Sequence, residues 1–245
     1  MTGEQCAALT GHHPLRLARR GIFYGLAPER RIIHSEINSR ILMFITCYRI
    51  AMQKAELREA IAHRISQLSE KDRAAESRSI CRRIIEALPQ DPVTVCAYYA
   101  MPNEVDLKPL LDELLKKGFP LFLPRCESEK LVFRQVQDLS SLTKGSFDIP
   151  EPSTNASALD PQTASHVIVP GRAFDQKGGR LGRGNGGYDH WIADQRKTNP
   201  NTLYWGVCFE CQLVPEVPME AHDERVDAVV TARDIMKNSI DGSLS

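Results

Sequence analysis

From Gln53 onward the apolar positions keep two rhythms, and the places where one gives way to the other mark the elements. Leu57, Ile61, Ile65 and Leu68 recur at spacings of four, four and three, the single stripe of an amphipathic helix that runs to about Leu68. Ser69 followed by Asp72 predicts an N-cap and a second helix to Leu88. Its buried stripe is Ile80, Ile84 and Leu88, and Pro89 and Pro92 close it. "VTVCAYYA", residues 93–100, has no polar alternation at all; a short β-branched and aromatic run between prolines suits a strand covered on both faces. "LKPLLDELLKKG" returns to the helical rhythm, with Leu107, Leu110, Leu111, Leu114 and Leu115 inward, lysines in the last turn and Gly118 at a left-handed cap.

"FPLFLP", "LVFRQV", "HVIVP" (166–170), "LYWGVCF" and "DAVVT" are further strands, a helix is expected from about Tyr188 to Lys197, and the Ser-, Thr-, Pro- and Asp-rich residues 138–165 form a long surface connection. Strands alternating with helices predict an α/β fold: a single domain with a mostly parallel open sheet and helices on both faces. The domain is expected over 53–235, after a poorly ordered N-terminal extension, 1–52, and before a C-terminal tail, 236–245.

Composition narrows the partners. In 245 residues, Lys plus Arg and Asp plus Glu balance at 31 each, so the overall field predicts neither a nucleic acid nor a membrane partner, and a basic site must be local. The chain is expected to act as a monomer. Its 7 cysteines are irregularly spaced in a chain too large to need stapling, which points to reduced thiols and a cytoplasmic setting. Cys208 and Cys211 form one C-x-x-C without a second pair, a weak metal or redox signal that structural thiols explain as well. No stretch reaches the roughly 18 apolar residues of a membrane span. The basic segment before residue 41 leaves a targeting peptide open.

The chemistry concentrates in "GGRLGRGNGGYDHW", residues 178–191, where six glycines, two arginines and one aspartate follow a strand. Such a run persists where the backbone must take positive φ or approach a ligand closely. Surface hairpin turns, which "QKGG" can form, are one explanation; a phosphate cradle ahead of a helix N-terminus is the other. In the second, Arg180 and Arg183 grip phosphate oxygens. Asp189, in the first helical turn, would repel that ligand unless a divalent cation lay between them, which points to a magnesium nucleotide. The spacing is not that of a P-loop, and "GRGNGG" is a weak dinucleotide match. An RNA-contacting Arg-Gly segment is a further alternative.

"VPGRAFDQKGGRLGRGNGGYD" closely resembles the signature of the 5-formyltetrahydrofolate cyclo-ligase family, also called 5,10-methenyltetrahydrofolate synthetases. "KAELREAIAHRISQLS", "AYYAMPNEVDLKPLL" and "HDERVDAVVT" resemble its first helix, substrate loop and closing strand, so the similarity covers about residues 53–235. It implies a fold of the kind shared with CoA transferases and sugar-phosphate isomerases, and ATP- and Mg²⁺-dependent ring closure of 5-formyltetrahydrofolate with release of ADP and phosphate. Carried over, Lys54 and Arg58 contact ATP phosphates, and Arg180, Gly182, Arg183, Gly184, Asn185, Gly186, Gly187 and Tyr188 form the nucleotide loop. Arg180, Arg183 and Tyr188 are the catalytic candidates. Asp189 and Asp223 stand on the metal side, Glu104 holds the folate, and Tyr99 lines its pocket. Asn185 and Gly187 depart from the family, where a lysine and a ring are usual; a non-catalytic folate- or nucleotide-binding paralogue is the alternative those departures motivate.

Overall fold

The computed structural model describes residue 46 and residues 49–145 and 148–238; the rest of the expected extension and of the expected tail lies outside them. Helix α1 covers 49–66 and α2 covers Glu70–Ala87, where the Ser69 hydroxyl accepts from the Asp72 N–H as its N-cap. Then follow β1 (Thr94–Cys96), α3 (Lys108–Lys116), β2 (Leu121–Glu127), β3 (Lys130–Val136), β4 (Thr143–Lys144), β5 (Pro150–Glu151), β6 (Ala164–Pro170), β7 (Ala173–Phe174), β8 (Arg180–Leu181), α4 (Gly187–Thr198), β9 (Leu203–Val207), β10 (Ala228–Val230) and β11 (Ile235–Lys237).

Seven strands form one sheet in the order β11-β10-β9-β6-β1-β2-β3. The five inner strands are parallel, and the edge strands β3 and β11 run antiparallel. The mostly parallel sheet expected from the alternating pattern is what forms. Both edges come from hairpin-type returns; Ser128 and Glu129 take positive φ, 46° and 66°, in the two-residue turn between β2 and β3.

Alternate strand residues feed opposite layers. Val167 and Val169 join Phe122, Phe133, Tyr204 and Ile192 of α4 on one face; Ile168 joins Val95, Leu121 and Val230 beneath α2 and α3 on the other. The leucine stripe of α3 is buried at Leu110, Leu111 and Leu114, and Gly118 holds φ 77° at the helix end. A third cluster sets Ile61 and Ile65 of α1 against Ala173 and Leu181 of the β7–β8 hairpin. Each of these buried isoleucines contributes about 1.5–3 kcal/mol, which fixes α1 to the segment carrying the glycines.

Three sequence expectations change. The run 93–100 is strand only over Thr94–Cys96; Ala97 still donates to Phe122 O at 2.9 Å, and the chain then leaves the sheet. The connection 138–165 contains the β4–β5 hairpin and two short helical turns capped by Asp138 and Asp160. β11 continues the domain past residue 235, and Asn238 is tied back by its N–H to Asp227 O at 2.9 Å.

His166 on β6 is buried, its ring edge-on to Trp205 with centroids 4.9 Å apart. Burial pushes its pKa below the ordinary histidine value. Below about pH 6.5 the unfolded chain takes up a proton the folded chain resists, so stability that is complete above that value is lost as the pH falls toward the folded pKa. Thermal melts at pH 7.5 and 5.0 should therefore separate more for the wild type than for His166→Gln. Equal separations would contradict this.

Candidate functional site

Strand order reverses between β1 and β6: the chain goes from β1 to β2 on one side and from β6 to β9 on the other. In open α/β sheets ligands bind outside the strand carboxyl ends at such a point. From β1 the chain enters a tight turn in which Glu104 N–H donates to Met101 O and Glu104 Oε2 accepts from Met101 N–H, at 2.9 and 3.0 Å. From β6 it enters the β7–β8 hairpin and the glycine loop.

The glycines divide between two tasks. In the hairpin turn, Asp175 is buried, and its carboxylate accepts from the N–H groups of Lys177, Gly179 and Val217 at 2.8, 2.9 and 2.8 Å. Gly178 stands there at φ 75°, and a Cβ on it would collide with Val226 O; this part of the run is the turn that "QKGG" allowed. After β8 the loop 182–186 leads into α4. Gly186 is the N-cap at φ 66° with no side-chain cap, and among the described residues the side chain offered to the first turn is Asn185, whose Oδ1 lies 3.5 Å from the Gly187 N. The His190 Nδ1–H donates to Gly186 O at 2.9 Å and braces the entry.

A cleft of about 400 Å³ lies between this loop, α1 and the turn 220–223. Lys54, Arg58, Arg180, Gly182, Gly184, Asn185, Gly186, Asp189 and Asp223, all singled out in the sequence, line it together. A wider groove of about 690 Å³ beside α1, lined by Leu57, Val217, Pro218 and Met219 with scattered charges, brings no such set together.

The Lys54 ammonium is buried between Glu220 and Asp223, 2.7 and 2.6 Å from their carboxylate oxygens. Burial alone would lower its pKa, but the hydrogen bonds to Asp223 and Glu220 together outweigh that and hold it above the ordinary lysine value. The Arg58 Nε–H donates to Gly182 O at 2.9 Å and lies along Gly184. Arg183 reaches across to Glu104 at 2.8 Å, so the loop after β6 and the turn after β1 are joined at the switch point.

Two of the expected ligand contacts are bonded to each other. Arg180 is 4% exposed and pairs with Asp189 at 2.7 Å while its other terminal nitrogen donates to Pro170 O. Asp189 also accepts from the Glu224 N–H at 3.2 Å on the same oxygen. The pair ties β6, the loop, α4 and the 220–224 turn to one another. Asp223 instead groups with Glu220 and His222, whose ligand atoms lie within 4.8 Å of one another. Tyr188 packs edge-on to Phe133 at 6.4 Å between ring centroids. Its hydroxyl is buried without a hydrogen-bond partner, and burial raises its pKa. Tyr99 is half-buried against the α2–α3 side of the sheet, beside the turn bearing Glu104.

Glu220, His222 and Asp175 were not anticipated. Glu220 and His222 stood in "MEAHDE", where only the aspartate had a motif position. Cys208 and Cys211, with the other cysteines among the described residues, are free thiols. Burial raises the pKa of both, which suits structural thiols.

A cleft beside a glycine loop at the carboxyl ends of parallel strands is where an α/β enzyme binds its ligand. Comparison with known proteins specifies which. The model of the 5-formyltetrahydrofolate cyclo-ligase family matches residues 50–232, and the chain belongs to that family, as a ligase of folate metabolism. It is 31% identical over 204 residues to a probable 5-formyltetrahydrofolate cyclo-ligase of Schizosaccharomyces pombe, covering 77% of this chain and 100% of that one. To the 5-formyltetrahydrofolate cyclo-ligase of Mus musculus it is 26% identical over 189 residues, covering 72% and 92%. The solved 5,10-methenyltetrahydrofolate synthetase of Aquifex aeolicus superposes with a TM-score of 0.68 at 32% identity, covering 78% of this chain and 96% of that one. Among the described residues, no helix is long and apolar enough to cross a membrane.

Proposed function

We propose that the cleft closes 5-formyltetrahydrofolate to 5,10-methenyltetrahydrofolate at the expense of ATP, with Mg²⁺ accompanying the nucleotide, in the cytoplasm. The supporting observation is charge placement. Lys54, Arg180 and Arg183 are paired with Glu220 and Asp223, Asp189 and Glu104, while among the described residues Arg58, on the same wall, is bonded to a backbone carbonyl and to no carboxylate. That leaves the Arg58 guanidinium to take a phosphate oxygen of a polyphosphate, and the start of α4 adds N–H groups to receive it.

The formyl oxygen is a poor leaving group. It attacks the γ-phosphorus, the bond from that phosphorus to the β,γ-bridging oxygen breaks, and ADP departs with the electron pair. N10 then adds to the formyl carbon and gives up its proton, and phosphate leaves with the carbon–oxygen pair, giving the methenyl cation. The protein positions the reactants and stabilises phosphoryl charge. Arg58 and Arg183 hold phosphate oxygens, and Glu104 faces the folate. Arg180 and Asp189 keep the loop in shape. For the metal, the carboxylates of Glu220 and Asp223 are hard oxygen donors of the right kind, and the Lys54 cation already held between them supports that fit. Bound there, Mg²⁺ would neutralise charge on the phosphates.

Absorbance of the methenyl chromophore, followed with 5-formyltetrahydrofolate and Mg²⁺ in mildly acidic buffer, tests the reading. Growth that requires ATP is expected. Folate binding without any ATP-dependent signal would move the protein to the non-catalytic reading.

A further inference from the structure

The buried Lys54 ammonium donates to Glu220 Oε2 at 2.7 Å and to Asp223 Oδ2 at 2.6 Å. The turn bearing these carboxylates is closed without the lysine. Within it the Asp223 N–H donates to Glu220 O at 3.1 Å, and Asp223 Oδ2 accepts from the Glu220 N–H at 2.6 Å. The two acids and the His222 imidazole have their ligand atoms within 4.8 Å of one another, and all three line the cleft together with Lys54. One ammonium balances one of the two carboxylates, in the place where the reading above sets Mg²⁺.

An ammonium and a divalent cation cannot share these oxygens. The side chains of Lys54, Asp223 and Glu220 are 9, 11 and 20% exposed, so little water screens the repulsion between two cations brought into contact there. Nor can the ammonium simply withdraw, because a buried charge without a partner is costly. It needs another anion within reach. Lys54 and Arg58 stand one turn apart on one face of α1. Arg58 is bonded to Gly182 O at 2.9 Å, and both residues line the cleft with Gly184 and Gly186. The flexible lysine stem lets the ammonium swing from the carboxylates to a phosphate held beside Arg58 while the helix stays in place. We infer that Lys54 is a specificity-determining residue: it holds the place between Glu220 and Asp223 against free divalent cations and yields it when a polyphosphate draws the ammonium away, so that metal and nucleotide are admitted together. The inference rests on the reading of the cleft as a magnesium-nucleotide site. A nucleotide arriving without metal is disfavoured by the same residue, since taking the ammonium would leave two bare carboxylates against its phosphates.

Mn²⁺, a paramagnetic stand-in for Mg²⁺, tests this on the full chain without nucleotide or folate, because electron paramagnetic resonance of the free ion reads how much is bound. Lys54→Met should bind Mn²⁺ at least about fivefold more tightly than the wild type, the lower end of the usual coupling between two ligands. Adding Asp223→Asn to Lys54→Met should abolish that gain, which places the ion at the turn. Thermal melts give a second readout independent of turnover. Mg²⁺ should raise the melt of Lys54→Met, where it replaces the lost ammonium, and should leave the wild type where NaCl of equal ionic strength leaves it.

A smaller difference in Mn²⁺ affinity, or a gain that survives Asp223→Asn, would overturn the inference. If Lys54→Met does not fold even with Mg²⁺, Lys54→Gln, whose amide still donates to one carboxylate, is judged by the same criteria. The two failures are told apart by the wild type. Absence of ring closure with ATP and Mg²⁺ removes the nucleotide reading, whereas ring closure by a wild type that takes up Mn²⁺ alone as readily as Lys54→Met removes only the role given to Lys54.

Discussion

Asp189→Ala should lower stability by about 3–5 kcal/mol, the usual result of removing one partner from a buried ion pair. Arg180 is 3% exposed at its side chain and depends on Asp189 for its only carboxylate. Without it the guanidinium keeps Pro170 O at 3.3 Å, and its Nε is already unpartnered. The Glu224 N–H loses its acceptor as well. A denaturant or thermal melt measures the change, and loss of turnover should accompany it because the loop and the 220–224 turn come apart together. Asp189→Asn should be milder, since an amide oxygen still accepts from both donors. Had Asp189 been an open metal ligand, as the sequence motif implied, alanine would abolish Mg²⁺-dependent turnover with the melt unchanged, and that result would restore the original role.

Why the sequence singled out residues that gather around one cleft without revealing what each of them pairs with is visible in this pair. Local pattern records which residue types occur and how they are spaced. It therefore announced the helical stripes of α1–α3, the Ser69 cap and the buried strand β6, all of which depend on neighbours within a few positions. It also placed Lys54, Arg58 and the glycine loop in one site, because the motif blocks resemble a family as a set. What an arginine faces is decided by chain brought from far away. Arg180 and Asp189 are separated by nine positions and read equally well as ligand contacts or as each other's partners. Lys54 meets Glu220 across 166 positions, and nothing local signals that. The division of the glycines had a local cue in Asp175, since an aspartate opening a turn commonly accepts from the N–H groups that follow it; its third contact, to Val217, had none. β11 and β7–β8 are two- or three-residue strands, too short for an alternation to register.

Glu104→Gln should weaken 5-formyltetrahydrofolate binding by about 10- to 100-fold, the range for losing a charge-assisted hydrogen bond, with ATP binding changed far less. Glutamine is nearly isosteric, and its carbonyl can still accept from the Met101 N–H, so the turn after β1 survives. What disappears is the charge at 2.8 Å from Arg183. That side chain is then left without its carboxylate, and the site becomes more positive. The two substrates should respond in opposite senses: the folate loses an acceptor for its polar groups, whereas the polyphosphate meets one more free cation. Calorimetric titrations of each ligand separate these effects, and adding Arg183→Gln to Glu104→Gln identifies their origin. If the carboxylate acts on folate directly, the double variant keeps the folate defect and loses any gain in nucleotide affinity. Equal losses for folate and ATP in the single variant would mean that Glu104 serves only to hold Arg183, and the division of the switch point into a folate side and a nucleotide side would fall with it.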